Sequence, residues 1–147
     1  MKITYDKEAL ASYVYFTTIG AGEAKFTFTY QRMDVGLDEK DQIAFLRIFE
    51  SEEHKFQNRL KYALQHPNVA YDESNGTLVI AFTDDQGVGK IISWDANIDI
   101  DSDGQILGVE ILFADAESGF DDGQERLYAE GKLEHISNYI VPFGKFY

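Results

Sequence analysis

Two strand-rich antiparallel repeats packed pseudo-symmetrically, each followed by a helix, form the α+β architecture that this sequence predicts. Three observations predict it. Several stretches alternate apolar and polar residues, related segments recur half a chain apart, and an apolar stripe at helical spacing follows the first set of strands.

The first copy opens at Tyr5-Asp6 and continues with Ser12 to Thr18 and Lys25 to Arg32, which alternate across the turn Gly20-Ala21-Gly22. In the second of these strands Phe26, Phe28 and Tyr30 share one face and Lys25, Thr27, Thr29 and Gln31 the other, the pattern of a half-buried antiparallel strand. Gln42 to Phe49 closes the copy. A helix over Glu52 to Gln65 is then expected: Ser51 can cap it, Glu52 and Glu53 suit its N-terminal end, Phe56, Leu60 and Leu64 make one stripe, and Pro67 stops it.

The second copy repeats the theme. Tyr71-Asp72 echoes Tyr5-Asp6, and strands are expected over Thr77 to Thr83, Lys90 to Trp94, Asn97 to Asp101 and Gln105 to Phe113. Val35–Phe49 aligns with Ile98–Leu112, so that Asp38 matches Asp101, Gln42 matches Gln105, Ile43 matches Ile106 and Ile48 matches Ile111. The offset is 66 residues at the first match and 63 at the second, which places a three-residue indel between them. A closing helix is read from Ala129, Leu133, Ile136 and Ile140, weakened by Gly123 and Gly131. The division is 1–66 and 67–147, within a length that suits one compact domain. A unit of about 60 residues buries little surface alone, so the copies are expected to pack face to face.

Charge separates the halves. Residues 1–66 hold nine Lys/Arg against ten Asp/Glu, or −1; residues 67–147 hold four against sixteen, or −12, within a total of −13. Such a chain repels nucleic acid and anionic membranes and attracts basic proteins. There is no cysteine, which excludes disulfides, thiolate metal sites and cysteine nucleophiles. The N-terminus lacks the apolar core of a signal peptide and no apolar run spans a bilayer, so a cytoplasmic protein is expected.

Asp99, Asp101, Asp103, Gly104 and Glu110 stand at positions 1, 3, 5, 6 and 12 of an EF-hand loop. The flanks, however, alternate as strands rather than helices, and Ser102-Asp103-Gly104 suits a hairpin turn. A hairpin is therefore expected here and no metal or other cofactor, with a weak calcium site of another kind as the alternative. His54, His66 and His135 fall in no metal-binding spacing, and Gly20-Ala-Gly22 and Gly87-Val-Gly89 read as turns rather than nucleotide loops.

Tyr-Asp-x-Glu-Ala followed by Tyr-Val (Tyr5 to Val14), together with Asp-Ser-Asp-Gly-Gln-Ile-Leu-Gly-Val-Glu-Ile-Leu (101–112), resembles the opening and closing motifs of a small bacterial family, domain of unknown function 2283. The resemblance covers residues 2–49 and 69–114. The first copy departs from it at Leu10 and Ser12, where the family usually has Asp and Leu. It implies a strand-rich unit of about half this length in each copy, without established chemistry. Some members occur beside small toxin-like proteins, which implies a role in neutralising a partner.

The function expected is thus non-enzymatic binding of a basic protein, antitoxin- or inhibitor-like, through Asp95, Asp115, Glu117, Asp121 and Asp122. The alternative is a cofactor-free small-molecule binder, isomerase or cyclase with a pocket between the repeats lined by Tyr13, Tyr15, Phe26, Phe28, Tyr30, Phe82 and Trp94. Direct nucleic-acid and membrane binding are not expected, and homodimer formation is left open.

Overall fold

The computed structural model describes residues 1–6, 11–39, 43–82, 89–112 and 134–135. Its strands are β1 (Lys2–Asp6), β2 (Ala11–Tyr15), β3 (Phe26–Leu37), β4 (Ile43–Phe49), β5 (Val69–Asp72), β6 (Thr77–Ala81), β7 (Lys90–Ile100), β8 (Ile106–Leu112) and β9 (Glu134–His135). They form one sheet in the order β5-β6-β4-β3-β7-β8-β2-β1-β9, antiparallel except where β9 pairs in parallel with β1. The sheet curls into a half-barrel. Val14, Val109 and Ile111 toward one end and Leu46, Leu78 and Ile80 toward the other share a single buried core on its inner face.

The order has a regularity. Leaving β9 aside, matching each of the first four strands with the strand four places later makes the two ends of the sheet correspond. β2 pairs with β8 as β6 pairs with β4, while β3 and β7 meet at the centre. Single hydrogen bonds repeat as well. Phe16 N–H donates to Leu107 O at 3.0 Å and Phe82 N–H to Ala44 O at 2.8 Å; Lys25 N–H donates to Ile100 O at 2.9 Å and Gly89 N–H to Leu37 O at 2.7 Å.

Alternation in the sequence is converted into one continuous inner face by register shifts, one of them between Gly36 and Leu37 in the β3–β4 pairing. Phe26, Phe28 and Tyr30 precede Met33, Val35 and Leu37 with a break in phase, and the β3–β7 register shifts between Tyr30 and Met33. Two residues, Gln31 and Arg32, there oppose Asp95 alone, which returns Met33 to the core side at 0% exposure. Another shift lies between Asp99 and Ile100. It leaves Ile106 in the inner core and places Leu107 in a separate outer cluster with Tyr13, Tyr15 and Ile19.

The α+β expectation is overturned: the fold is almost wholly antiparallel sheet, with no helix following either set of strands among the described residues. Over Glu52–Gln65 only a 3-10 turn, Ala63–Gln65, is helical. The expected cap contact does form, Ser51 Oγ accepting from His54 N–H at 3.1 Å, but the helix does not propagate. Asn58 takes a positive φ of 66°, and long-range partners claim the backbone. Phe56 N–H donates to Glu50 Oε2 (2.7 Å), Lys61 N–H to Gln105 Oε1 (3.0 Å), and Arg59 O accepts from Ile106 N–H (2.9 Å). These bonds take the place of i→i+4 bonding up to Leu60, where one such bond, Leu64 N–H to Leu60 O at 3.0 Å, leads into the 3-10 turn, while Phe56, Leu60 and Ala63 seal the inner face. Leu64, third in the expected stripe, is left 50% exposed.

The other corrections follow from the same sheet. The two sets of strands, β1–β4 and β5–β8, do not stack face to face; they interleave edge to edge in one sheet. Lys90–Trp94 and Asn97–Asp101 merge into β7. Of the region read as a closing helix, Glu134–His135 is strand; Ala129, Leu133, Ile136 and Ile140 lie outside the described residues. No helix among the described residues is long and apolar enough to cross a membrane.

Candidate functional site

The outer face of the central strands carries the polar chemistry. Because side chains alternate across a strand, register alone assembles two adjacent rows: Thr29, Asn97, Glu110 and Tyr13, and beside it Thr27, Asp99, Gly108 and Tyr15. In the first row Thr29 Oγ1 meets Asn97 Oδ1 at 2.9 Å, and Asn97 Nδ2 donates to Glu110 Oε1 at 3.1 Å. In the second, Thr27 Oγ1 donates to Asp99 Oδ1 at 2.5 Å.

The rows are joined diagonally by Tyr13, whose hydroxyl donates to Asp99 Oδ2 at 2.8 Å. That reach depends on Gly108. A Cβ there would stand 2.3 Å from the Tyr13 ring and 2.6 Å from Val14 O. Burial, reinforced by the Asp99 charge and hydrogen bond, raises the Tyr13 hydroxyl well above its usual range, so it stays a donor. Asp99 and Glu110 are thus met by neutral partners among the described residues.

The corresponding row at the other end of the sheet has the opposite character. Ser93, Asp34, Arg47 and Val79 lie in register across β7, β3, β4 and β6. Asp34 and Arg47 form an ion pair at 3.5 Å, Ser93 Oγ lies 3.4 Å from Asp34, and Arg47 covers the Phe45 ring at 4.8 Å. Gly36 is the glycine of this set, lying under Phe45.

The residues expected to act separate by face. Tyr13 and Tyr15 lie together on the outer side, ring centroids 4.4 Å apart. Tyr30, Phe28, Phe82 and Trp94 belong to the inner core and its margin, and Phe26 is 58% exposed. Tyr30 stacks on Phe56 at 5.0 Å, and Phe28 on His54 at 4.0 Å. Of the acidic set, Asp95 is exposed on β7, opposite the β3 bulge; Asp115, Glu117, Asp121 and Asp122 lie outside the described residues.

The Asp-rich segment is the hairpin expected. Asp101 Oδ1 accepts the amides of Asp103 (2.9 Å) and Gln105 (2.8 Å), and Gly104 takes φ +82° to close the turn. Asp99 and Glu110, first and last of the EF-hand spacing, stand in the two outer rows and bind side chains of the sheet.

Sequence reasoning missed a second feature, an open depression of about 720 Å³ beside β5, lined by Leu60, Lys61, Leu64, Tyr71, Glu73 and Gln105 among others. Glu50 and Gln105 shape it. Glu50 Oε2 also accepts from Tyr71 Oη (3.1 Å), and Gln105 Nε2 donates to Asn58 O (2.8 Å). The one available signal was the recurrence of Gln42 as Gln105, which marks a position without revealing its use.

No curated protein and no solved structure matches the chain. The model of one family does, over residues 68–114, which contain β5, β6, β7 and β8. In that stretch, with both outer-row carboxylates and the Asp-rich hairpin, the chain is similar to the family described as protein of unknown function (DUF2283).

Proposed function

We propose that the chain is a tandem duplication of this four-strand unit and acts as a non-enzymatic binding protein, its acidic second copy engaging a basic protein partner. The repeated pairings and hydrogen bonds support the duplication, and the two outer rows support the division of labour. Where one unit places Gly36 and Arg47, the other places Asp99 and Glu110. The observation that carries the reading is that Arg47 is matched by an anion, whereas Asp99 and Glu110 have only neutral partners among the described residues. Both lie on an outer face that Asp95 extends, and an acidic field of this kind speeds encounter with cationic surfaces.

The test is retention of proteins from the source lysate on immobilised protein, at low salt and then at about 0.5 M, where screening removes exposed charge pairs. The expected result is a basic protein released by salt, and slower association when Asp115, Asp121 and Asp122 are changed together to Asn. Retention of a partner indifferent to both salt and these substitutions overturns the reading.

A further inference from the structure

The two edges of the sheet are treated differently. On β1 the outer edge is covered: β9 adds to it, Thr4 pairing with Glu134 and Tyr5 with His135. On β5, which holds the corresponding place at the other end, the described residues supply no such strand. Tyr71-Asp72 corresponds to Tyr5-Asp6 in sequence as well as position.

This edge is set up for pairing. Ala81 N–H donates to Asn68 O at 2.9 Å, so alternate residues Asn68, Ala70 and Asp72 bond inward to β6. The peptide N–H and C=O of Tyr71 therefore face outward, the role that Tyr5 fills beneath β9. The depression adjoins this edge on the inner side, with Leu64 half-exposed and the Tyr71 ring set edge-on to Phe56 at 6.0 Å. A strand added here directs alternate side chains into it. On the opposite side lies Asp72, held ionised by hydrogen bonds from Ser74 and Asn75, with Glu73 beside the depression.

We infer that the edge of β5, uncovered among the described residues, is a strand-addition site for an extended segment of a basic protein, apolar side chains entering the Leu64–Tyr71 depression and Lys or Arg facing Asp72. This rests on the reading of a basic partner above and specifies where that partner docks. Charge decides the occupant: a second copy would bring together two chains of −13, whereas a cationic strand is attracted.

The probe is a short fluorescent peptide of alternating Lys and Val, titrated against the whole chain by polarisation. Binding is expected to weaken by about tenfold or more at about 0.5 M salt. N-methylation of alternate amides in one register is expected to abolish it, and methylation in the other to leave it intact. Leu64→Ser is expected to weaken it at least about threefold, and the Tyr71 amide to gain hydrogen-exchange protection. Salt-sensitive binding that ignores methylation in both registers overturns the edge site while sparing the acidic-partner reading. Absence of salt-sensitive binding overturns both. A dimer in sedimentation that protects the Tyr71 amide without peptide identifies the occupant as a second copy and overturns the proposal.

Discussion

The row Thr29–Asn97–Glu110–Tyr13 and the row Ser93–Asp34–Arg47–Val79 occupy corresponding places in the sheet and are wired alike up to their third member. A hydroxyl meets an Asn or Asp, which in turn meets a long charged side chain. They differ in what ends the row. Val79 is half-buried and contributes only apolar surface, whereas Tyr13 is fully buried and sends its hydroxyl over Gly108 to the neighbouring row. The backbone is thus shared and the electrostatics are not. One end of the sheet closes its charges on themselves; the other holds two carboxylates with neutral donors.

The largest expected effect tests the dependence on Gly108. In Gly108→Ala the new methyl meets both the Tyr13 ring and the carbonyl of Val14, and the latter is backbone that cannot rotate away. A loss of about 2–3 kcal/mol is expected, read as a lower urea midpoint at unchanged slope. Gly36→Ala is the control at the other end. Its methyl would stand 2.1 Å from the Phe45 ring, but no backbone atom is among its nearest contacts and that half-buried ring can turn. Stiffening of the unfolded chain offsets part of the cost, leaving a loss of about 1 kcal/mol or less. Equal losses at the two glycines would remove the special role assigned to Tyr13.

That asymmetry also marks what the sequence made legible. The shared face of Phe28 and Tyr30 and the Asp101–Gln105 turn depend on local alternation and turn chemistry, and the structure carries both, although Phe26 on the same face is left exposed. Strand exchange was not legible, because β2 with β8 and β6 with β4 are contacts between distant segments that no local period encodes. The Glu52–Gln65 segment misled for a related reason. Its Phe56, Leu60, Leu64 spacing is helical, yet Glu50 and Gln105 draw its amides into other bonds. Likewise the diagonal Tyr13–Asp99 bond joins residues 86 apart, and only the pairing of β2 with β8 and of β8 with β7 brings them together.

Tyr13→Phe gives the next effect in size. It removes one donor from Asp99 but leaves Thr27 in place, so about 1–2 kcal/mol is expected. The pH dependence has a definite sign. Tyrosines of the unfolded chain ionise near about 10, whereas burial holds Tyr13 protonated above that and pushes Tyr30 to about 12. Their contribution is complete below pH 10 and is lost as pH rises through the folded values, because the unfolded chain gives up these protons first. Urea midpoints should therefore fall from pH 10 to 12, less steeply in Tyr13→Phe. An identical slope in the variant would show that the Tyr13 hydroxyl is as free to ionise in the folded chain as in the unfolded one.

The smallest effect on stability comes from making one row into the other. Asn97→Asp with Glu110→Arg rebuilds the Asp34–Arg47 pair at the Tyr13 end. That pair spans 3.5 Å with side chains 38% and 14% exposed for Arg47 and Asp34, so a change within about 0.5 kcal/mol is expected. Glu→Arg adds two positive charges and Asn→Asp removes one, so the net charge moves only from −13 to −12. Any response in binding therefore reports the arrangement of charge rather than its total. Stopped-flow association with a basic partner should slow at low salt and converge with the parent chain at high salt, since rim charges act chiefly on encounter. An unchanged rate at low salt would mean that the acidic row does not steer the partner, and its uncompensated carboxylates would then need another use.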